Sequence, residues 1–339
     1  MLTIHIRLLS LCKAVYLCVR ITSKQQFIKQ ANMNKKFLQF LFIAVTAGFI
    51  FSSCSKDEEL TGSGSNDKTQ IKLTSSISQV TTRSTAQNTQ IEADQQVGLM
   101  VTNSTSDYLY NNVQLIADGN GYFNSETPMY YPADGDNVNL IAYHPYSPTV
   151  NSIETTHTFY VEPLQFQKAS YLNSDVLYGS VESVSRTAAA VPIQFNHAFS
   201  KLTFTVKKGN GATLEGLYAI EVAGLQMGAE VNLLSGVIQP VGEIGTVRAY
   251  NVPTPLATDT EVSGAAAIVV PQTTNVGTPL LRILIGQISY LYQPVAPLVF
   301  KPGTAYNFNI TVNMGGITVT SNIVDWTNGG SIDGDGEMD

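Results

Sequence analysis

The sequence predicts an all-β protein of β-sandwich type, and three observations carry that prediction. Only 13% of the residues are charged while 44% are hydrophobic. An average globular chain carries about 25% charged residues, so a charge-laced helical bundle, a coiled coil and a charge-driven disordered chain are excluded. One Trp stands against 16 Tyr and 14 Phe, and Thr, Val, Ile and Asn recur throughout, the composition of half-buried pleated strands. Short runs alternating apolar and polar residues, broken by Gly, Asn and Asp, stand where a helical period would be, and no stretch holds such a period between two caps.

Taken in order, Ile71-Lys72-Leu73-Thr74-Ser75-Ser76-Ile77-Ser78 alternates, the mark of a half-buried strand. Val97-Gly98-Leu99-Met100-Val101 is a continuous apolar run suited to a sandwich core. Asn111–Ala117, Val138–Tyr143 and Thr158–Val161 continue the series, with Asp118-Gly119, Asn120-Gly121 and Asp134-Gly135 as turns. Lys201–Val206 alternates again and is closed by Lys207-Lys208-Gly209-Asn210-Gly211, a turn rather than a phosphate-cradling loop. Ala266–Val270, Leu280–Ile285, Ala305–Val312 and Ile317–Val324 complete the set. Short strands with frequent turn signals read as a sandwich. Glu182–Ala190 is small and polar without a strand pattern, which predicts an N-terminal β-sandwich domain over 71–185 and a C-terminal one over 186–339, both of ordinary domain size. No repeat of fixed period appears.

Charge is unevenly placed. Residues 1–53 contain no Asp or Glu and hold seven of the 19 basic residues, so the remaining 286 carry 12 basic and 26 acidic groups, a net −14. Lys35 and Lys36 precede an apolar run from Phe37 to Phe51, shorter than the roughly 20 residues a membrane-spanning helix needs. This is a secretory signal over 33–53, with Met33 the better start and residues 1–32 an upstream frame. It ends in Ile50-Phe51-Ser52-Ser53-Cys54, which resembles the lipobox of a bacterial lipoprotein, with Phe51 where Leu is usual. A free thiol is the alternative for Cys54. Without Cys12 and Cys18, Cys54 stands alone and makes no intramolecular disulfide. Residues 54–70 then form a lipidated cysteine and tether. Ser55-Lys56-Asp57-Glu58-Glu59 resembles the tag that sends lipoproteins to the outer face of the outer membrane in Bacteroidetes-type bacteria, or is a solvated charge run.

Signals of chemistry are few. His144, His157 and His197 stand at unrelated spacings, which gives a zinc site little support. No Gly-x-Ser-x-Gly elbow or Lys-bearing phosphate loop is present. Paired carboxylates are a spatial feature that sequence does not exclude, but the acids sit in turns, so neither an enzyme nor a cofactor is expected. A net charge of −7 argues against nucleic acid as a partner. His197 reads as a structural residue where a strand begins. Asp333–Asp339 has the oxygen spacing of a calcium loop but lacks its length and closing Glu. Met129-Tyr130-Tyr131-Pro132 and Tyr143-His144-Pro145-Tyr146 have the residues to stack on sugars or to pack a sandwich.

These pieces fall into an order. Thr81-Thr82-Arg83-Ser84, Gln96–Val101, Met129–Pro132, Val138–Tyr146, Ser174-Asp175-Val176-Leu177-Tyr178-Gly179, Phe195–Leu202 and Lys301-Pro302-Gly303-Thr304-Ala305-Tyr306 together resemble the Bacteroidetes fimbrillin family, the pilus subunits made from lipoprotein precursors. The resemblance runs from the lipobox to the carboxyl end. It implies two transthyretin-like β-sandwich domains in tandem and a structural or adhesive fimbrial subunit. Cys54 would carry lipid in the outer membrane before cleavage, and a surface protease would then cut after an arginine in the loop following the first strand. Loss of that strand opens a groove that a strand from the next subunit fills, so the implied partners are other fimbrial subunits joined by donor-strand exchange, with a host or bacterial surface ligand beyond them. Arg83 matches the cleavage position and Ile71–Val80 the strand to be lost. An ordinary loop arginine is the alternative, yet Arg83 is the only Lys or Arg between Lys72 and Lys168. After Trp326 no apolar strand remains to be donated. Either the hairpin Tyr306–Val324 swings out as donor, or the subunit only accepts a strand and sits at a tip. A surface glycan-binding lipoprotein and an uncut fimbrial anchor are the other readings.

Overall fold

The computed structural model describes residues 68–77, 90–151 and 155–325. Cys54, Arg83, Trp326 and the acidic tail lie outside the described residues. Among those described, sixteen strands and a single short helix are found, so the fold is all-β as the alternating runs predict.

Strands β1 (Leu73–Ile77), β2 (Gln96–Asn103), β3 (Tyr108–Ala117), β4 (Phe123–Asn124), β5 (Val138–His144), β7 (Leu177–Val184) and β8 (Val191–His197) form a seven-stranded sheet in the order β1-β8-β7-β5-β2-β3-β4. This sheet curls until its ends meet. Thr74 of β1 bridges Tyr122 and Gln70 bridges Tyr130, on either side of β4. Its interior is one hydrophobic core, drawn from Ile71, Leu73, Ile77, Val97, Leu99, Leu115, Leu140, Ile193, Phe195 and their neighbours.

The second core is larger. A sheet of β11 (Ile238–Arg248), β10 (Leu217–Asn232), β13 (Leu281–Ile285) and β14 (Ile288–Tyr292), with β6 (Thr156–Tyr160) also paired to β10, contributes Ile220, Val222 and Leu225. A sheet of β12 (Glu261–Val269), β9 (Ser200–Lys208), β15 (Thr304–Asn313) and β16 (Gly316–Asp325) contributes Phe204, Phe308 and Ile310. Phe204 and Phe308 pack with ring centroids 6.0 Å apart, and Phe300 meets Phe308 edge-on at 6.5 Å.

Strands β2 and β5 serve both cores. Val97, Leu99 and Val101 point into the smaller core while Met100 points into the larger. Likewise Leu140 and Ala142 face one way and Ile141 and Tyr143 the other. Burial on both faces is what makes a strand read as an unbroken apolar run instead of an alternating one. Gly98 follows from the same crowding, because the Tyr143 ring occupies the space a Cβ there would need.

Two features differ from the sequence expectation. The stretch from Glu182 is not strand-free, since β7 runs on through Val184 before the chain turns toward β8. The position 185/186 thus lies in the connection between two strands of the same sheet. A helix, α1 (Lys168–Ser174), also forms without a sequence signal; it is only seven residues long.

Candidate functional site

The alternation in β1 becomes a geometry. Ile71, Leu73 and Ile77 are 3%, 5% and 2% exposed and enter the smaller core, while Lys72 and Ser76 point outward. On one flank β1 runs parallel to β8, with Leu73 opposite Val191 and Ile77 opposite Phe195. On the other flank the Ile71 amide donates to the Met129 carbonyl at 2.8 Å, the Ser75 amide to Gly121 at 2.7 Å, and the Tyr131 amide to Thr69 at 3.0 Å. β1 is therefore the strand that closes the curled sheet, hydrogen-bonded along both edges. Further along the chain, Ile91 is again buried in the same core. Arg83 falls in the interval between.

A second arrangement joins motifs that are distant in sequence. Asp175, just after α1, and His197, the last residue of β8, are both fully buried, and His197 Nδ1 donates to Asp175 Oδ1 at 2.7 Å. The Ala198 amide donates to the Val176 carbonyl at 2.7 Å. Lys201 on β9 is 0% exposed, and burial pushes its amine down to about 8, with the Asp175 charge pulling partly back. His144 is also buried, with Nδ1 2.9 Å from the Gln96 carbonyl and Nε2 3.2 Å from that of Leu172. Burial holds its pKa below the usual imidazole range, against those two hydrogen bonds and the field of Asp175. A neutral ring has one N–H, so it donates to one of these carbonyls at a time. Gln165 adds a third link, donating to Ile268 O and accepting from the Ile268 amide, both at 2.8 Å. These groups tie the connection from β5 to β9 into the larger core, and no arrangement among them is that of a nucleophile with its base.

The aromatic clusters split between packing and partial exposure. Tyr131 and Tyr143 are 5% and 0% exposed and belong to the two cores, while Tyr130 and Tyr146 are partly exposed. The Tyr143 hydroxyl lies 2.6 Å from Asn112 Oδ1 and 3.0 Å from Ser147 O, and burial raises its pKa to about 12. Among the described residues no group of three or more His, Cys, Asp or Glu is placed to hold a metal ion. Gly209-Asn210-Gly211 is a turn, with the Asn210 amide on Asn313 Oδ1 at 3.1 Å. The Asp175–His197 pair was not legible, because each residue has the composition of an ordinary turn or strand end until the fold brings them together.

Comparison with known proteins adds family and fold. The model of a family described as fimbrillin-like matches residues 82–326. The chain is similar to a candidate fimbrium subunit, Fim1C, of Bacteroides uniformis, with 24% identity over 315 residues that cover 88% of this chain and 99% of that protein. Two crystal structures of candidate cell adhesion proteins, from Bacteroides ovatus and Bacteroides uniformis, each superpose with a TM-score of 0.59 at 20% identity, covering 76% of this chain and 98% of theirs.

Proposed function

This chain belongs to the fimbrillin-like family, and from that membership we propose that it is a structural, adhesive subunit of a cell-surface fimbria. The observation that carries the assembly mechanism is the placement of β1. Its inward row of Ile71, Leu73 and Ile77 is buried, and it is hydrogen-bonded on both flanks. In the sequence it is followed by the segment 78–89, which contains Arg83. The family match begins at residue 82 and leaves β1 outside, in keeping with a leader strand that the mature subunit discards.

In this reading the precursor travels as a lipoprotein acylated on Cys54, and a surface protease cuts after Arg83. β1 then leaves. Burying one aliphatic side chain is worth about 1.5–3 kcal/mol, so three together represent roughly 5–9 kcal/mol, an upper value given a compact unfolded state. Typical domains have only about 5–15 kcal/mol of net stability. A subunit without β1 is thus driven to accept an alternating strand from a neighbour, which restores both the apolar contacts and the backbone hydrogen bonds. The two hydrophobic cores correspond in this reading to the two sandwich units, which meet across β2 and β5.

The packing of β15 supports an accessory or tip-like position. Tyr306, Phe308, Ile310 and Val312 of β15 are buried in the larger core. β15 is also flanked by β9 and β16, so swinging out the hairpin would break that core. Purified chain cut after Arg83 should stay non-filamentous alone, and filaments formed by it would overturn the tip position. The test of the whole reading is the amino terminus of protein sheared from its native cell surface. A start at Ser84 supports strand exchange, whereas lipid-blocked Cys54 on an intact chain replaces it with an uncut anchor or a glycan-binding lipoprotein.

A further inference from the structure

Tyr160 ends β6 with 63% of its surface exposed, yet it is not a loose side chain. It stands opposite Gly228 in the antiparallel pairing of β6 with β10. A Cβ at Gly228 would lie 2.7 Å from the ring's Cε1, and one at Gly242 on the next strand 3.7 Å from it. The ring therefore lies down across the glycines of β10 and β11, supported on one side by backbone and open on the other. A ring seated in this way has its freedom restricted before any ligand arrives.

The same strand builds a polar cleft beside the ring. Thr156, Thr158 and Tyr160 point outward from β6, and the cross-strand partners of these residues are Asn232, Glu230 and Gly228. A cleft of about 860 Å³ is lined by Thr149, Thr156, Thr158, His157, Tyr160 and Glu230, among others. His157 is 8% exposed, and its Nε2 is buried with no hydrogen-bond partner among the described residues. A second cleft, about 430 Å³, shares Tyr160 and is also lined by Asp94, Gln95, Glu162 and Asn173. Among the described residues no Lys or Arg lines either cleft, so a phosphate, sulfate or polyanion finds no counter-charge there. Rows of hydroxyl, amide and carboxylate groups beside an aromatic face suit a ligand that is polyhydroxylated, uncharged and apolar on one face of its ring.

We propose that Tyr160 and the two clefts that share it form a binding site for neutral glycan, with a sugar ring stacked on Tyr160 and its hydroxyls held by Thr156, Thr158 and Glu230. No residue of this site belongs to β1 or to the smaller core, so the inference stands apart from strand exchange.

Affinity electrophoresis of the intact protein through gels containing dextran, galactomannan or desialylated mucin tests it. Retardation is expected in at least one gel, kept by Tyr160→Phe, which preserves the ring, and weakened at least tenfold by Tyr160→Ala. Tyr122→Ala, at a comparably exposed tyrosine beside β4, should leave it unchanged. An unaltered urea midpoint in Tyr160→Ala separates loss of binding from loss of fold. Absence of retardation in all three gels, or equal retardation of Tyr160→Ala, overturns the proposal. So does a dimer that Tyr160→Ala dissolves without any glycan effect, since the face would then be a contact between copies.

Discussion

His197 Nδ1 donates to Asp175 Oδ1 across 2.7 Å with neither side chain exposed. The pair joins the end of the first sheet to the turn after α1, and it lies within the electrostatic reach of Lys201. Removing one partner of a buried hydrogen bond leaves a desolvated polar group behind, at a cost of about 1–3 kcal/mol. Asp175→Ala should therefore lower the urea midpoint by that equivalent. A change below about 1 kcal/mol would mean that the pair is no more than a surface-like contact.

Lys201 gives stability a definite pH dependence. Its amine titrates near 8 in the fold and 10.5 in the unfolded chain, so between those values the unfolded state binds more protons. Stability then rises with pH across that window. Unfolding at pH 7.5, 9 and 10 should show this rise in the wild type and lose it in Lys201→Met, which should be at least as stable as wild type at pH 7. His144, also depressed by burial, acts at the acid end with the same sign, and stability falls as pH drops below about 6.5.

Gly98 and Tyr143 are fitted to one another. Gly98→Ala forces the Tyr143 ring to move, and overpacking of this kind costs about 1–3 kcal/mol. The phenol of Tyr143 should ionise only near 12 in the native protein. Absorbance at 295 nm compared with Tyr143→Phe isolates that titration, and ionisation near 10 would show that the ring is not buried as described.

The closing strand can be tested by replacement. A chain beginning at Ser84 should be markedly less stable and should bind a synthetic peptide of residues 68–80, seen as a rise in thermal midpoint with peptide concentration. A peptide with Leu73 and Ile77 both changed to Asp should not bind. If the shortened chain keeps full stability and ignores the peptide, β1 is dispensable.

Where the sequence was legible, burial was simple. β1 alternates because one face is buried, and β2 is continuous because both are. β10 was not legible because Gly224 takes a positive φ of 75° and the pairing shifts register at Ala223/Leu225 and Gln226/Gly228. Each shift moves the next side chains to the opposite face, so the period of two is erased within one strand. In β8, Pro192 hides a strand whose inward residues Val191, Ile193 and Phe195 alternate cleanly. The missing N–H costs no ladder bond there, because β8 takes β1 on one edge and pairs β7 only at Asn196 and His197. The seat of Tyr160 was equally hidden, since a glycine 68 residues further along the chain, Gly228, supplies it.

The parallel alignment of β1 with β8 over five consecutive pairs has a mechanical meaning. Tension applied along two aligned strands is shared by all their rungs at once, as in a lap joint, whereas a pull across them opens one rung after another. If a neighbour's strand takes the place of β1, a load running along that strand meets the stronger of these two geometries. Rupture then requires the whole row of contacts to fail together, and its rate, rather than the equilibrium affinity, sets how long the joint survives under flow.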